Sequence, residues 1–224
     1  MWKKRTAAVI LLAGIFLAGC GKGEAENNQG TGETDAGTAA AAAAETVEVE
    51  VLKDGSVIET LTEAFEAEYY NEENLKNMVL SEVADFNKQT LDGDGDISVE
   101  KFESKNGSIT VRMKYPSSQM YTEYNTDQYN QKSLFCGTIA EAYDAGYTLD
   151  LTMKDSKGEK TVGKEELLKM GEDKILIAEA PMHVTVPGKI LYIGENIVPS
   201  GKNQADMQAG ENGEALGKYY VIYK

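Results

Sequence analysis

Thr46-Val47-Glu48-Val49-Glu50-Val51-Leu52-Lys53-Asp54-Gly55-Ser56-Val57-Ile58-Glu59-Thr60-Leu61 is the stretch that decides how this chain folds. Val47, Val49 and Val51 alternate with Glu48 and Glu50, the two-residue period of a strand with one face buried and the other in water. Lys53-Asp54-Gly55-Ser56 supplies turn formers, and the chain returns as a second strand over Val57 to Leu61.

Working downstream, Asn71 is placed to cap a helix whose first turn carries Glu72 and Glu73, where negative charge meets the positive end of the helix dipole. Leu75, Met78, Val79, Val83 and Phe86 fall on one stripe, so the main amphipathic helix is predicted over residues 72–88. Ile97 to Phe102 and Ser108 to Tyr115 flank Ser104-Lys105-Asn106-Gly107, and Asn-Gly is the strongest short hairpin signal. A short helix capped by Ser117 or Ser118 then runs through Tyr124, Ser133 to Cys136 reads as extended, and Thr138 to Ala145 reads as a helix stopped at Gly146. Thr148 to Met153, Lys174 to Ala178, Met182 to Val186, Lys189 to Ile193 and Tyr219 to Tyr223 have strand composition, with a small helix from Lys164 to Met170 ended by Gly171. Pro199 to Gly217 is polar and glycine-bearing, the pattern of a mobile loop or a weak edge strand. Strands outnumber helices and arrive in hairpins. The implied class is α+β: an antiparallel sheet built from hairpins, with one main amphipathic helix and smaller helices packed on it. Residues 46–224, about 179 of them, suit one exported domain of this kind.

Upstream of the hairpin the chain changes character. Met1-Trp2-Lys3-Lys4-Arg5 is a compact basic cluster, and Ala7 to Ala18 is apolar. That is the layout of a secretory signal, and the run is well short of the ~20 residues a helix needs to cross a bilayer. Leu17-Ala18-Gly19-Cys20 resembles the lipobox of bacterial lipoproteins. The resemblance implies cleavage after residue 19, a diacylglycerol on the Cys20 thiol, and attachment to the extracytoplasmic face of the cell membrane. Buried acyl chain contributes about 0.8 kcal/mol per methylene, so two or more chains hold a protein on a membrane for long periods. Residues 21–45 contain no Val, Ile, Leu, Met or aromatic residue. Such a stretch has nothing to bury against a core and reads as a disordered acidic linker.

The formal charge is −15 for the whole chain, and removing the three cations of the signal takes it to about −18. A surface this acidic repels phosphate backbones, which argues against a nucleic-acid partner, and it leaves membrane contact to the lipid rather than to a basic patch. The lipobox, the hairpin at Lys53-Asp54-Gly55, the helix from Leu75 to Phe86, the segment Gly137-Thr138-Ile139-Ala140-Glu141-Ala142-Tyr143-Asp144-Ala145-Gly146-Tyr147 and the stretch Pro187-Gly188-Lys189-Ile190-Leu191-Tyr192 together resemble a group of uncharacterised lipoproteins of anaerobic Gram-positive bacteria. The resemblance implies an exported, membrane-anchored location and a compact fold. It brings no activity and no site residues.

Four features carry candidate chemistry. Asp92-Gly93-Asp94-Gly95-Asp96-Ile97-Ser98 resembles the calcium loop of EF-hand and dockerin modules, since alternate oxygen ligands suit a hard cation. With Asp92 first, Asp94 and Asp96 follow and Glu103 closes the loop, but Ile97 replaces the usual glycine. With Gly95 in the glycine position, Thr90 and Lys101 occupy ligand positions instead. A strand rather than a second helix is predicted to follow, so a solvated helix-to-strand turn is the competing reading. His183 is the one histidine. It excludes a multi-histidine zinc centre and leaves either a structural role or the base of a hydrolase. Cys136, between Phe135 and Gly137, reads as a buried small hydrophobe or, with His183 nearby, as a thiol nucleophile. The chain has twelve tyrosines. Among them Tyr121, Tyr124 and Tyr129 offer a platform for a peptide or glycan if exposed, whereas the spacing of Tyr121 and Tyr124 also suits a core-facing helix stripe. No phosphate-binding or dinucleotide motif accompanies these features. The leading expectation is a non-catalytic envelope module that binds a protein, peptide or glycan. The alternatives are a cell-envelope hydrolase using His183 and a calcium-stabilised surface domain.

Overall fold

A computed structural model describes residues 46–65, 71–89, 95–126 and 132–224. The opening hairpin forms as its pattern predicts. β1 (Thr46–Val51) and β2 (Val57–Ala64) pair antiparallel, with Val51 opposite Val57 and Val49 opposite Glu59. In the turn, Asp54 accepts hydrogen bonds from the Ser56 amide at 3.0 Å and hydroxyl at 2.6 Å. Gly55, at φ 86°, takes the left-handed conformation that glycine adopts without strain.

α1 (Glu72–Gln89) starts at Asn71, whose side chain accepts from the Asn74 amide at 2.8 Å, and it buries Val79, Val83 and Phe86. Asn87 then donates to the Ile97 carbonyl at 2.8 Å and accepts from its amide at 3.0 Å, tying the end of the helix to the strand that follows. β3 (Ser98–Lys105) and β4 (Ser108–Tyr115) turn back over Asn106 and Gly107, both at positive φ, as a tight hairpin demands. β4 lies against β2 in full register, from Val57 opposite Tyr115 to Ala64 opposite Ser108.

The second half supplies α2 (Ser118–Asn125), β5 (Leu134–Thr138), α3 (Ile139–Asp144), β6 (Met153–Asp155), β7 (Thr161–Val162), α4 (Lys164–Lys169), β8 (Lys174–Ala178), β9 (His183–Thr185), β10 (Ile190–Ile193), β11 (Ile197–Pro199), β12 (Gln204–Met207) and β13 (Tyr219–Tyr223). The class is α+β, with the described strands in two sheets. One runs β11-β12-β9-β1-β2-β4-β3 and the other β5-β8-β13-β10-β6-β7. Pairing is mostly antiparallel, but β9 lies parallel to β1, with His183 opposite Glu48. One sheet expected from the hairpins is therefore two. The reason lies in β8 and β13, which are apolar at nearly every position because both their faces are buried. Leu176, Ala178, Tyr219, Val221 and Tyr223 join the core shared with the first sheet, while Ile175, Ile177, Tyr220 and Ile222 pack with Ile139 and Ala142 of α3 and Leu167 of α4.

Two other local expectations shift. Thr148 to Met153 has the alternation of a strand, yet ladder pairing begins only at Met153; Leu149 joins the core with α3 and α4 from irregular chain, and Met153 joins it from the first position of β6. Within Pro199 to Gly217, β11 and β12 form a hairpin at the sheet edge, and an isolated bridge joins Ala209 to Ala215. Ala205 and Met207 face inward there, too few apolar residues to register as a strand pattern.

α2 closes the free edge of β5. Ser117 caps the helix by accepting from the Met120 amide at 3.1 Å. One turn apart on one helix face, Ser118 and Thr122 then meet the outward backbone of β5. The Cys136 amide donates to the Ser118 hydroxyl at 3.1 Å and the Leu134 amide to the Thr122 hydroxyl at 2.9 Å. The Thr122 hydroxyl also lies 3.0 Å from the Leu134 carbonyl. At the next outward position, the Thr138 amide donates to Glu141 at 2.7 Å, within the capping box of α3. Side chains thus satisfy groups that an uncovered edge strand offers to another chain.

Gly188 marks another tight approach. A Cβ at this position would stand 2.2 Å from the Lys224 carbonyl oxygen, next to reciprocal backbone bonds between Lys189 and Lys224. Gly188→Ala is predicted to lower stability by about 1–3 kcal/mol, the usual cost of overpacking, read as a lower thermal midpoint.

Candidate functional site

β1, β9 and β12 are neighbours in the first sheet, and their pairing puts three polar residues in one row. Glu48 lies opposite His183, and His183 lies opposite Asp206. Val49, Val184 and Ala205, one residue along each strand, are buried, so the row occupies the other face of the sheet. His183 Nδ1 and Asp206 Oδ1 are 2.6 Å apart. This hydrogen bond, with a second from Ser200, holds the Asp206 carboxyl below the usual range. Folding therefore favours ionised Asp206. Its contribution to stability is present above the unfolded pKa and is lost as pH falls through the lowered folded value.

A groove of about 1010 Å³ opens beside this row. Val47, Met182, Met207 and Pro181 line it together with Glu48, Glu179, Asp206, Glu214, Lys132 and His183. Glu179 is ion-paired with Lys218, which lowers the carboxyl's pKa and raises that of the ammonium. Several carboxylates thus share one opening, and Met182 and Met207, each 5% exposed, reach its wall from the core.

Glu59 is a functional-type residue that the reading of the chain did not single out. It is 1% exposed, in the middle of β2, on the face that carries Val57 and Leu61. The Tyr115 hydroxyl donates to one carboxylate oxygen at 2.7 Å and the Tyr121 hydroxyl to the other at 3.2 Å. Asn125 donates to the Tyr115 hydroxyl at 3.3 Å and to the Tyr121 carbonyl at 3.1 Å. Burial raises the Glu59 pKa, while Lys132 and the hydrogen bonds pull it partly back. Burial likewise pushes both tyrosine hydroxyls far above their ordinary range. The signal was present in the hairpin: an acid in phase with Val57 and Leu61, and opposite Val49, on the buried face.

This network corrects the tyrosine platform. Tyr121 is fully buried and belongs to the core. The Tyr124 ring packs edge-on against Phe86 at 5.2 Å, and its buried hydroxyl has no hydrogen-bond partner among the described residues. Tyr129 lies outside the described residues, as do Cys20, Asp92 and Asp94. Of the other residues of the calcium-like loop, Asp96 is exposed, while Glu103 sits within β3 and is paired with Lys101 at 2.6 Å. A strand stands where an EF-hand has its second helix.

Cys136 and His183 line different grooves, so the structure does not bring them together as a nucleophile and base. Burial also pushes the Cys136 thiol up to about 12. Cys136 packs against the main core, the small-hydrophobe role. His183 does have an acid on Nδ1, as the base of a triad requires. Among the described residues, however, no serine or threonine hydroxyl is hydrogen-bonded to the imidazole, whose bond runs to Asp206. Among the described residues no helix is long and apolar enough to cross a membrane. Compared with protein-family models, with curated proteins and with solved structures, the chain matches none.

Proposed function

We propose that this chain is a lipid-anchored, non-catalytic binding module on the outer face of a cell membrane, and that the His183 groove receives a cationic, amphipathic peptide segment of an envelope partner. Support for the anchor is the order of basic cluster, apolar run and lipobox ending at Cys20. The observation that carries the ligand chemistry is the groove's lining, which combines Glu48, Asp206 and Glu214 with Val47, Met182 and Met207. Carboxylates there favour lysine or arginine, and the apolar side chains take the aliphatic remainder.

Fluorescence anisotropy with a labelled lysine-leucine peptide, against a glutamate-leucine control, tests the reading. The basic peptide is expected to bind and the acidic one not, and Glu48→Gln/Asp206→Asn is expected to weaken binding about tenfold, equivalent to 1.4 kcal/mol. Equal affinity for both peptides, or no change in the double variant, would sink it.

The His183–Asp206 hydrogen bond is the one observation that favours a second reading, an envelope hydrolase with His183 as its base. Against it stands the imidazole's surroundings. The side-chain bond of His183 runs to Asp206, and among the described residues no serine or threonine hydroxyl is hydrogen-bonded to its ring. Any hydrolytic activity found in the purified chain that vanished in His183→Ala would reverse this preference.

A further inference from the structure

A second groove, of about 680 Å³, is lined by residues of α2 and β5; β5 is the edge strand of the second sheet, whereas β1, β9 and β12 at the His183 groove belong to the first. Three facts restrict what it can hold. Its backbone edge is occupied, because Ser118 and Thr122 already take the outward amides of Cys136 and Leu134. A peptide therefore finds no ladder to extend. Its lining includes no lysine, arginine or histidine among the described residues, and it carries one acid, Glu123. Lys218, whose Nζ stands 5.4 Å from the centroid of the Tyr147 ring, is already ion-paired with Glu179, so an anionic ligand such as a phosphate would meet no unpaired cation among the described residues there.

What remains open are side-chain tips of two kinds. Phe135 and Tyr147 form an aromatic pair with centroids 4.9 Å apart and planes tilted by 48°. From α2 come Gln119 and Glu123, exposed and joined by a 2.9 Å hydrogen bond from the amide to the carboxylate. A planar amide and a carboxylate side by side present donors and acceptors in one small area. Aromatic carbon beside them offers apolar surface at little entropic cost. Pockets of some 300–1,000 Å³ that mix apolar lining with a few polar groups are typical small-ligand sites.

We propose that this groove binds a neutral oligosaccharide, with the apolar C–H face of a sugar ring on Phe135 and Tyr147 and its hydroxyls bonded to Gln119 and Glu123. A sugar supplies both surfaces at once and needs neither a cation nor a strand edge. This site is independent of the peptide reading of the His183 groove, and either can fail without the other.

The test uses the full chain with Cys20→Ser, labelled with nitrogen-15 and titrated separately with chitotetraose, cellotetraose and mannotetraose while backbone amide shifts are followed. At least one sugar is expected to give saturable shifts at Gln119, Glu123, Phe135 and Tyr147, leaving His183 and Asp206 unmoved. Gln119→Ala and Tyr147→Ala should each weaken that binding about tenfold. Both variants must retain the parent spectrum away from the groove, and Tyr147→Phe, which keeps the ring, should retain most of the affinity if Tyr147→Ala perturbs the fold. Absence of saturable shifts with all three sugars, shifts that centre on His183, or shifts that persist unchanged in Gln119→Ala would overturn the proposal.

Discussion

Glu59→Ala is expected to lower the unfolding free energy by about 3–5 kcal/mol, because it takes the carboxylate acceptor from two buried tyrosine hydroxyls, leaving Tyr115 only the weak Met113 thioether at 3.7 Å, and opens a cavity in the sheet. The residue looks dispensable in composition, one acid among 37. Its position makes the difference, since Tyr115 and Tyr121 are both fully buried and both turn to it. Glu59→Gln keeps a carbonyl acceptor and should cost only about 1 kcal/mol. The parent also differs from both variants in a pH signature. Burial raises the Glu59 pKa above its ordinary value of 4.5. A raised folded pKa means that the neutral form suits the fold, so the stability it brings is full below the unfolded value and is lost as pH rises through the folded one. Glutamine does not titrate. The stability gap between parent and Glu59→Gln should therefore narrow between about pH 4 and pH 8. Chemical denaturation at both ends of this range reads it, and a gap that widened would show that the network prefers the ionised carboxylate.

The second large effect belongs to the edge of β5. Ser118→Ala/Thr122→Val removes the acceptors of the Cys136 and Leu134 amides while keeping the helix's volume nearly constant. A loss of about 2–4 kcal/mol is expected, the cost of two backbone donors stripped of partners. Solubility should fall with it, because β5 is then an uncovered edge for strand pairing between copies. Thr122→Ser, which retains the hydroxyl, should stay near the parent. Denaturant midpoints combined with light scattering separate the two consequences. A double variant within about 0.5 kcal/mol of the parent would mean that water replaces the hydroxyls without penalty.

Both effects bear on how much of the fold could be read from residues alone. Elements with local causes were legible: the valine alternation before Lys53-Asp54-Gly55, the stripe from Leu75 to Phe86, and Asn106-Gly107. Pairings without a local cause were not. The parallel contact of Glu48 to Glu50 with His183 to Thr185 joins residues far apart in the chain, and nothing in either segment names the other. The unbroken apolar runs of β8 and β13 signal burial on both faces, but a run cannot say that a second sheet covers one face and helices the other. At the candidate site, His183 was visible and its partner was not, because Asp206 sits in a strand of four residues with only Ala205 and Met207 inward. Tyr121 and Tyr124 had two readings from one spacing, and the core took Tyr121 because Glu59 offered its hydroxyl an acceptor. Glu59 itself was readable in principle, since the hairpin register places it across from Val49.

The proposed lipid anchor at Cys20 would set where both proposed grooves operate. Intact-mass measurement of the chain extracted from bacterial membranes tests it directly. The predicted result is a chain that begins at Cys20 and carries the mass of a diacylglycerol on that residue, with a Cys20→Ala variant retaining residues 1–19 or released in unlipidated form. A parent chain that begins elsewhere, or that carries no lipid at Cys20, would contradict the account.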